Sequence, residues 1–233
     1  MNDIQIIDFI AISFWICVII VLFMISGYLF YKYTRDPDRN KIQLSFFLVF
    51  LFIGIGRILL VYFDYNLIML DVDLYSEYQI YWKIATIFQL AGFGFLFLVT
   101  EYAVFKNKDY YIFFWGFLIT TIVGMLIQDF TLSQVVVSYA LVFAAFIPLS
   151  YIYLAIKMPG ESKKWIIIMF IGVVIFALSL LILMVNFVDF MKVFLGNADI
   201  IHYIYLVSPV IQILGVIIFA NGIYNMYFKK KDF

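Results

Sequence analysis

The sequence predicts an all-α integral membrane protein: a bundle of seven transmembrane helices, with the N-terminus outside and the C-terminus in the cytoplasm. Three observations predict it. Hydrophobic residues make up 67% of the chain, charged residues make up 13%, and the mean hydropathy is +1.08, whereas soluble domains are nearer half apolar and a quarter charged. The apolar residues form long runs divided by short polar stretches. Basic residues gather in alternate stretches.

A helix needs roughly 20 apolar residues to cross the hydrocarbon core of a bilayer. The runs are continuous rather than alternating, which argues against the strands of a barrel. No Lys or Arg precedes the first run, and the run is too long for a signal peptide, so we expect a retained helix. Residues 1–233 are therefore predicted to be a single transmembrane domain with helices at 7–31, 42–63, 78–105, 110–128, 133–156, 165–187 and 200–228.

The orientation follows from the basic residues, which concentrate in cytoplasmic loops of membrane proteins. Twelve of the fifteen Lys and Arg residues fall in alternate connections and in the C-terminal tail: Lys32, Arg35, Arg39, Lys41, Lys106, Lys108, Lys157, Lys163, Lys164 and 229–231. The opposite side is acidic, and its connections 64–77 and 189–199 are partly apolar. We expect short interfacial helices in both. The distribution predicts a cell-membrane protein with its N-terminus out and its C-terminus in.

Arg57 and Lys83 are the basic residues that fall within predicted helices. Charge inside a bilayer is expensive and usually functional. Helical rise places each roughly 10 Å below the outer boundary, at the ends of antiparallel helices that a short loop joins. Both therefore are predicted to face one outer cavity for an anionic or carboxylate ligand, together with Asp64, Glu77 and Thr86. Two alternatives stay open: snorkelling to the headgroups, or a charge pair that sets helix packing.

Two further polar residues are candidates for the same ligand site. His202 stands at the outer start of the last helix, where it is an interfacial residue, a proton sensor, or a metal ligand with Asp199 and Asp129. Gln212 follows Pro209 by three residues. Proline inside a helix frees a carbonyl and favours a kink, so Gln212 is a candidate partner for that carbonyl. Pro148 predicts a second kink.

Several chemistries lack their residues in this sequence. A serine triad at one depth, a glycine-rich phosphate loop and an HExxH motif are all absent. One cysteine, Cys17, excludes an internal disulfide framework, and one histidine excludes a bis-histidine haem site. The net charge is zero, so no excess of basic residues suggests a nucleic-acid partner. We therefore expect no metal and no cofactor, and an enzyme is the less favoured interpretation.

The predicted topology resembles rhodopsin-like receptors, microbial rhodopsins and the seven-helix sensor regions of prokaryotic histidine kinases. Residues 221–224, Asn-Gly-Ile-Tyr before a basic tail, resemble the Asn-Pro-x-x-Tyr end of rhodopsin-like receptors without its proline. Tyr81-Trp82 and Glu101-Tyr102-Ala103 resemble the third helix of the kinase sensors. The last helix has no lysine between 200 and 228, so the retinal linkage of microbial rhodopsins is not expected. No functional residue is transferred from these families.

The leading functional hypothesis is a multi-pass membrane sensor or receptor-like protein. It would bind a small ligand or lipid from the outer side and signal through a cytoplasmic partner on the basic inner face, a reading that rests partly on analogy. The alternative is a small-solute or ion transporter or channel with Arg57 and Lys83 in its pathway. A continuous polar path from Lys83 through Gln89 and Thr100 to Glu101 would favour transport. A lipid-modifying enzyme has no motif in its support.

Reporter fusions test the topology. A cytoplasm-dependent reporter is expected to be active at the C-terminus and inactive at the N-terminus, and a periplasm-dependent reporter is expected to show the reverse. The basis is the basic loop distribution. Cytoplasmic reporter activity at the N-terminus would contradict the odd number of helices.

Overall fold

A computed structural model describes residues 3–36, 41–105, 111–197 and 199–228. The described residues are almost entirely helical, and no strand occurs among them. The basic residues Arg39, Lys106, Lys108 and 229–231, on which part of the predicted orientation depends, lie outside the described residues.

The described residues form nine α-helices. They are α1 Asp3–Arg35, α2 Lys41–Tyr62, α3 Gln79–Val104, α4 Ile112–Leu126, α5 Phe130–Ala144, α6 Phe146–Lys157, α7 Gly160–Leu181, α8 Val185–Leu195 and α9 Ile200–Ile223. A π-helical turn, Phe63–Leu67, extends α2, and another, Tyr224–Phe228, extends α9. Within the described part of the chain, six helices are long and apolar enough to cross a membrane, with α5 and α6 together forming one of them. The chain therefore has the architecture of a multi-pass membrane protein.

The structure corrects several predicted helix boundaries. The predicted helix 133–156 is two helices, because α5 ends at Ala144 and α6 begins at Phe146. Pro148 explains the break, since it has no N–H for the carbonyl of Ala144 and its ring crowds that carbonyl. Pro209, in contrast, stays inside α9. The predicted helix 165–187 begins at Gly160 and ends at Leu181 instead.

The predicted helix 110–128 is the shortest of the seven. It is observed as α4, with 15 residues, which is about 22 Å long against a hydrocarbon core of roughly 30 Å. By length, α4 is therefore not one of the six helices that cross a membrane unaided. The ends of such a helix would lie inside the apolar layer, where free N–H and C=O groups need partners.

Two charged side chains of α3 supply partners at both ends of α4. Glu101, which is buried, accepts a hydrogen bond at Oε1 from the backbone N–H of Phe114, at 2.6 Å. Lys83 donates from Nζ to the carbonyl oxygen of Ile127, at 2.5 Å. The carboxylate lies at the N-terminus of α4 and the ammonium lies at its C-terminus, which is the arrangement that the helix dipole favours. Lys83 and Glu101 therefore stabilise α4 against α3.

The helices form a ring around an apolar interior. Along the ring, α1 packs on α2 and α9, α2 on α3, and α3 on α4, while α6 and α9 flank α7. The α2–α3 pair is very close: a Cβ on Gly56 would lie 2.7 Å from the backbone nitrogen of Gln89, and a Cβ on Gly92 would lie 2.9 Å from the carbonyl oxygen of Val49. Small residues allow this approach between membrane helices.

The connection between α2 and α3 folds over one end of the ring. A 3₁₀ helix, Val72–Tyr75, brings Tyr75 into an aromatic cluster with Phe63 and Phe130, at ring distances of 5.2 and 5.7 Å. Leu70 is buried beside α8 and α9. Met69 and Leu70 have φ values of 48° and 61°, a left-handed conformation that disfavours side chains. The packing of Leu70 and Tyr75 therefore holds a strained connection in place.

The connection between α7 and α9 contains α8, so a short helix is present where the sequence predicts one. Val188 and neighbouring apolar side chains pack towards Ile201. Phe190 and Phe194 stack on each other on the exposed face, with ring centroids 5.8 Å apart. Asp189 and Lys192 form an ion pair at 3.9 Å. A helix with separate apolar and polar faces is suited to the membrane interface.

Replacing Lys83 with Met or Glu101 with Ala is expected to lower stability by about 1–3 kcal/mol each, because charge-assisted bonds to helix ends are lost in an apolar layer. Thermal unfolding in one detergent measures the effect. Lys163→Met and Glu77→Ala, both at exposed positions, are the matched controls. Equal unfolding temperatures for the α3 variants and their controls would show that α4 does not need these bonds.

Candidate functional site

A polar cavity of about 230 Å³ lies near the end of the ring that the α2–α3 connection covers. Residues of α2, α3, α5 and α9 line it, with the end of α7 closing one side. Its polar and aromatic lining comprises Arg57, Asp64, Tyr75, Trp82, Thr86, Gln89, Thr131, Gln134, Ser138 and Tyr205.

Arg57 is the most unusual residue of this cavity. It is only 3% exposed, and its guanidinium carbon lies 4.3 Å from the centre of the Trp15 ring. Nε and Nη2 have no hydrogen-bond partner. Neither the ion pair between Asp189 and Lys192 nor the contact between Asp8 and His202 includes Arg57. A buried cation with free donors is costly, and stacking on Trp15 offsets only part of that cost.

Asp64 lies two helical turns beyond Arg57, in the π-helical turn that extends α2. It is 7% exposed and lines the same cavity. Tyr75 and Tyr205 border the cavity beside it. Burial, and secondarily the negative charge of Asp64, raise the pKa of Tyr75. The Tyr75 phenol therefore stays protonated.

A second cavity, of about 310 Å³, adjoins the polar one. Every residue that lines it is apolar, and Phe93 and Leu180 line both cavities. Ala144, Ala145 and Pro148, at the break between α5 and α6, form part of its wall. The proline-induced break thus contributes directly to the space inside the ring.

The exposed residues at the edges of the two cavities lie on α5, at the break between α5 and α6 and on α7, from which we infer a sideways opening between α5 and α7. The polar cavity has Thr131 and Val135 of α5 at its exposed edge, and the apolar cavity has Ala145 of α5–α6 facing Leu178 and Leu181 of α7. We refer to the two cavities together as the cleft. Its polar part lies towards Asp64, and its apolar part lies towards the middle of the bundle.

The predicted site residues are only partly brought together. Arg57, Asp64 and Thr86 line the polar part of the cleft. Lys83 is bonded to the end of α4 instead, and Glu77 is exposed in the connection before α3. The structure therefore does not place Arg57 and Lys83 around one cavity.

His202 and Gln212 lie on α9. His202 Nδ1 is 2.6 Å from Asp8 Oδ1, which joins the first turns of α9 and α1. Gln212 is fully buried, and neither its amide nitrogen nor its amide oxygen has a partner. It therefore does not bond the carbonyl that Pro209 frees, contrary to the sequence interpretation. Among the described residues, no three metal-ligating side chains gather, so Asp129 and Asp199 form no such group with His202.

Sequence reasoning missed several lining residues. Gln134 and Ser138 of α5 are spaced i and i+4, which places both on one helix face. Gln89, which sequence reasoning named only for a transport path, follows Thr86 by three residues on α3. These spacings are a usable signal. Trp15, which packs on Arg57, had no such signal, because an aromatic residue in a first transmembrane helix is expected to face lipid or to pack against apolar side chains.

No protein-family model matches this chain, and no match was found among curated proteins or solved structures. The site is therefore interpreted from its own geometry.

Replacing Arg57 with Gln and Asp64 with Asn together is expected to leave the unfolding temperature unchanged or to raise it. Each of two buried charges loses several kcal/mol of hydration free energy, and without a contact ion pair their mutual attraction does not offset that loss. Thermal unfolding of the empty protein measures this, with both single variants as references. A double variant that unfolds at a lower temperature than the wild type would show a charge pair that stabilises the structure.

Proposed function

We propose that this chain is a membrane sensor or receptor-like protein that binds a small ligand at Arg57. The observation that carries the proposal is a nearly fully buried guanidinium, with two unpartnered nitrogens, in the wall of a polar cavity. Natural structures rarely leave buried donors unsatisfied. An acceptor-bearing ligand supplies the missing partners and removes the cost.

Further polar groups support the same interpretation. Gln89 Nε2 is buried without a partner among the described residues, and Tyr75, Gln134 and Ser138, whose hydroxyl donates to the carbonyl oxygen of Gln134, border the same space. Ligand pockets typically combine apolar walls with a few polar groups that fix orientation. The cleft has this composition.

For the topology we propose seven spans, with the N-terminus outside. The bonds from Lys83 and Glu101 support α4 as the additional span, because they satisfy the ends of a helix too short to reach both interfaces. Arg35, Lys157, Lys163 and Lys164 are exposed at the end of the ring opposite the polar cavity. In this orientation they form the cytoplasmic surface that a signalling partner would contact.

The transporter or channel alternative needs a polar path through the bundle. Below Gln89 the next cavity is wholly apolar, and the Thr100 hydroxyl is bonded to the carbonyl of Leu96 in its own helix. A polar solute would lose its hydration there without replacement. The geometry therefore favours binding over conduction.

Native mass spectrometry tests the proposal. Wild type and Arg57→Gln are purified in parallel from the same membranes in a mild uncharged detergent. We expect a non-covalent small-molecule adduct on the wild type and an occupancy lower by about tenfold or more on the variant, because a charge-assisted bond contributes about 1.5–3 kcal/mol.

Lys192→Gln is the matched control, since Lys192 is a cation on α8 that does not line the cleft. It is expected to keep the adduct. Equal adducts on wild type and Arg57→Gln would contradict the proposal, and so would the absence of an adduct from every preparation.

A further inference from the structure

We infer that the ligand of the cleft is a zwitterionic amphiphile with a single acyl chain, which enters sideways from the membrane between α5 and α7. This inference rests on the proposed function, that the cleft binds a ligand at Arg57. It adds the chemical class of the ligand and its route. Three parts of the cleft, each with a different chemistry, carry it.

The apolar part fits one hydrocarbon chain. Its lining is entirely apolar, and its volume is about 310 Å³. Water has no hydrogen-bond partner in such a space, whereas a hydrocarbon chain gains contacts along its whole length. One chain suffices to occupy this part of the cleft, so the inferred ligand carries a single acyl chain.

The middle of the cleft fits an anionic group. The Nε and Nη2 atoms of Arg57 and the Nε2 atom of Gln89 are buried donors without partners. Phosphate and carboxylate oxygens are the acceptors that a guanidinium binds best. An anion here would also balance a cation that no contact ion pair neutralises.

The outer part of the cleft fits a cation. Asp64 is buried there, and the lining beside it includes the aromatic rings of Tyr75, Trp82 and Tyr205. Carboxylates together with aromatic faces are the groups that bind ammonium ions. A purely anionic head group would meet repulsion from Asp64, whereas a zwitterion satisfies Asp64 and Arg57 together.

The order of these parts matches the order of groups in a zwitterionic phospholipid. From the middle of the bundle outward come the apolar cavity, then Arg57, then Asp64, which lies about 10 Å further along α2 by helical rise. A lipid of one leaflet has its chain towards the midplane, its phosphate above the chain and its ammonium outermost. Such a molecule fits the cleft without turning over.

The route is sideways because the end of the ring is covered. Tyr75, Phe63 and Ile68 are buried in the cluster over the polar cavity. The edges of the cleft, in contrast, are exposed: Val135 is 41% exposed on α5, and Leu178 and Leu181 are 50% and 44% exposed on α7. Apolar edges of this kind face the acyl chains of the bilayer.

Binding of defined probes to the full chain in maltoside micelles tests the inference. The probes are lysophosphatidylcholine, lysophosphatidic acid with the same chain, and glycerophosphocholine, which has the head group without a chain. We expect lysophosphatidylcholine to bind about tenfold or more tightly than either of the others, because each of them lacks one charge-assisted contact or the chain contacts. Arg57→Gln is expected to abolish binding, and Asp64→Asn to remove the preference over lysophosphatidic acid.

The route has its own variant. Ala145→Trp, at the mouth of the apolar cavity, is expected to weaken lysophosphatidylcholine binding about tenfold. Val142→Trp is the matched control, since Val142 is an exposed α5 residue that does not line the cleft. Equal binding by the two Trp variants would overturn the route.

The outcomes separate this inference from the function on which it rests. If glycerophosphocholine binds as tightly as lysophosphatidylcholine and Arg57→Gln abolishes the binding of both, the ligand site is supported and the role of an acyl chain is overturned. If lysophosphatidic acid binds as tightly as lysophosphatidylcholine, the cation site at Asp64 is overturned. Two results would overturn the inference together with the ligand site. In one, every probe binds to Arg57→Gln as tightly as to the wild type; in the other, no probe binds to a folded protein.

Discussion

The close approach of α2 and α3 is the constraint on which the site depends. Gly56 and Gly92 let the two backbones come nearer than any side chain would allow. Arg57 follows Gly56 directly, and Gln89 lies opposite, so this close helix contact also brings the buried cation beside the polar residues of α3. A larger residue at position 56 would separate the helices and open the wall of the cleft, with no change in any charged group.

The same pair explains why polar residues occur in so apolar a chain. In the hydrocarbon layer, a polar group is stable only where another group forms a hydrogen bond with it. Lys83 and Glu101 of α3 bond the ends of α4, and the hydroxyl of Ser133 bonds the carbonyl of Gly124 in the α4–α5 hairpin. Arg57 differs from Lys83 and Glu101, because its Nε and Nη2 atoms bond no other described residue and it lines a polar cavity. Glu101 Oε2 and the Gln212 amide also lack partners among the described residues, so the cavity beside Arg57, and not the missing bonds alone, indicates a site.

Much of the fold was predictable from apolar run lengths, because a bilayer imposes a helix on every long apolar segment. The break at Ala145 was only partly predictable from the sequence. Pro148 predicted a kink, but whether a proline bends or interrupts a helix depends on its neighbours, and Pro209 lies inside an unbroken helix. Arg57, Asp64 and Thr86 were predictable as a group from helical spacing on two adjacent helices. The role of Lys83 was not predictable, because its partner is a backbone carbonyl at a helix end, which no side-chain pattern encodes. The cleft itself depends on the gap between α5 and α7, and such long-range packing leaves no local signal.

The contact between Asp8 and His202 has a consequence for how the chain is assembled. The two residues are 194 positions apart in sequence, yet their contact closes the ring between its first and last spanning helices. During synthesis α1 enters the membrane long before α9 exists, so the ring is incomplete through most of translation. Contacts of such high sequence separation form late, and until then the flank of α1 that carries Trp15 lacks its neighbour α9. The wall around Arg57, to which Tyr205 of α9 contributes, is therefore completed only once α9 is in place, and a chain shortened before α9 would leave that wall open to lipid.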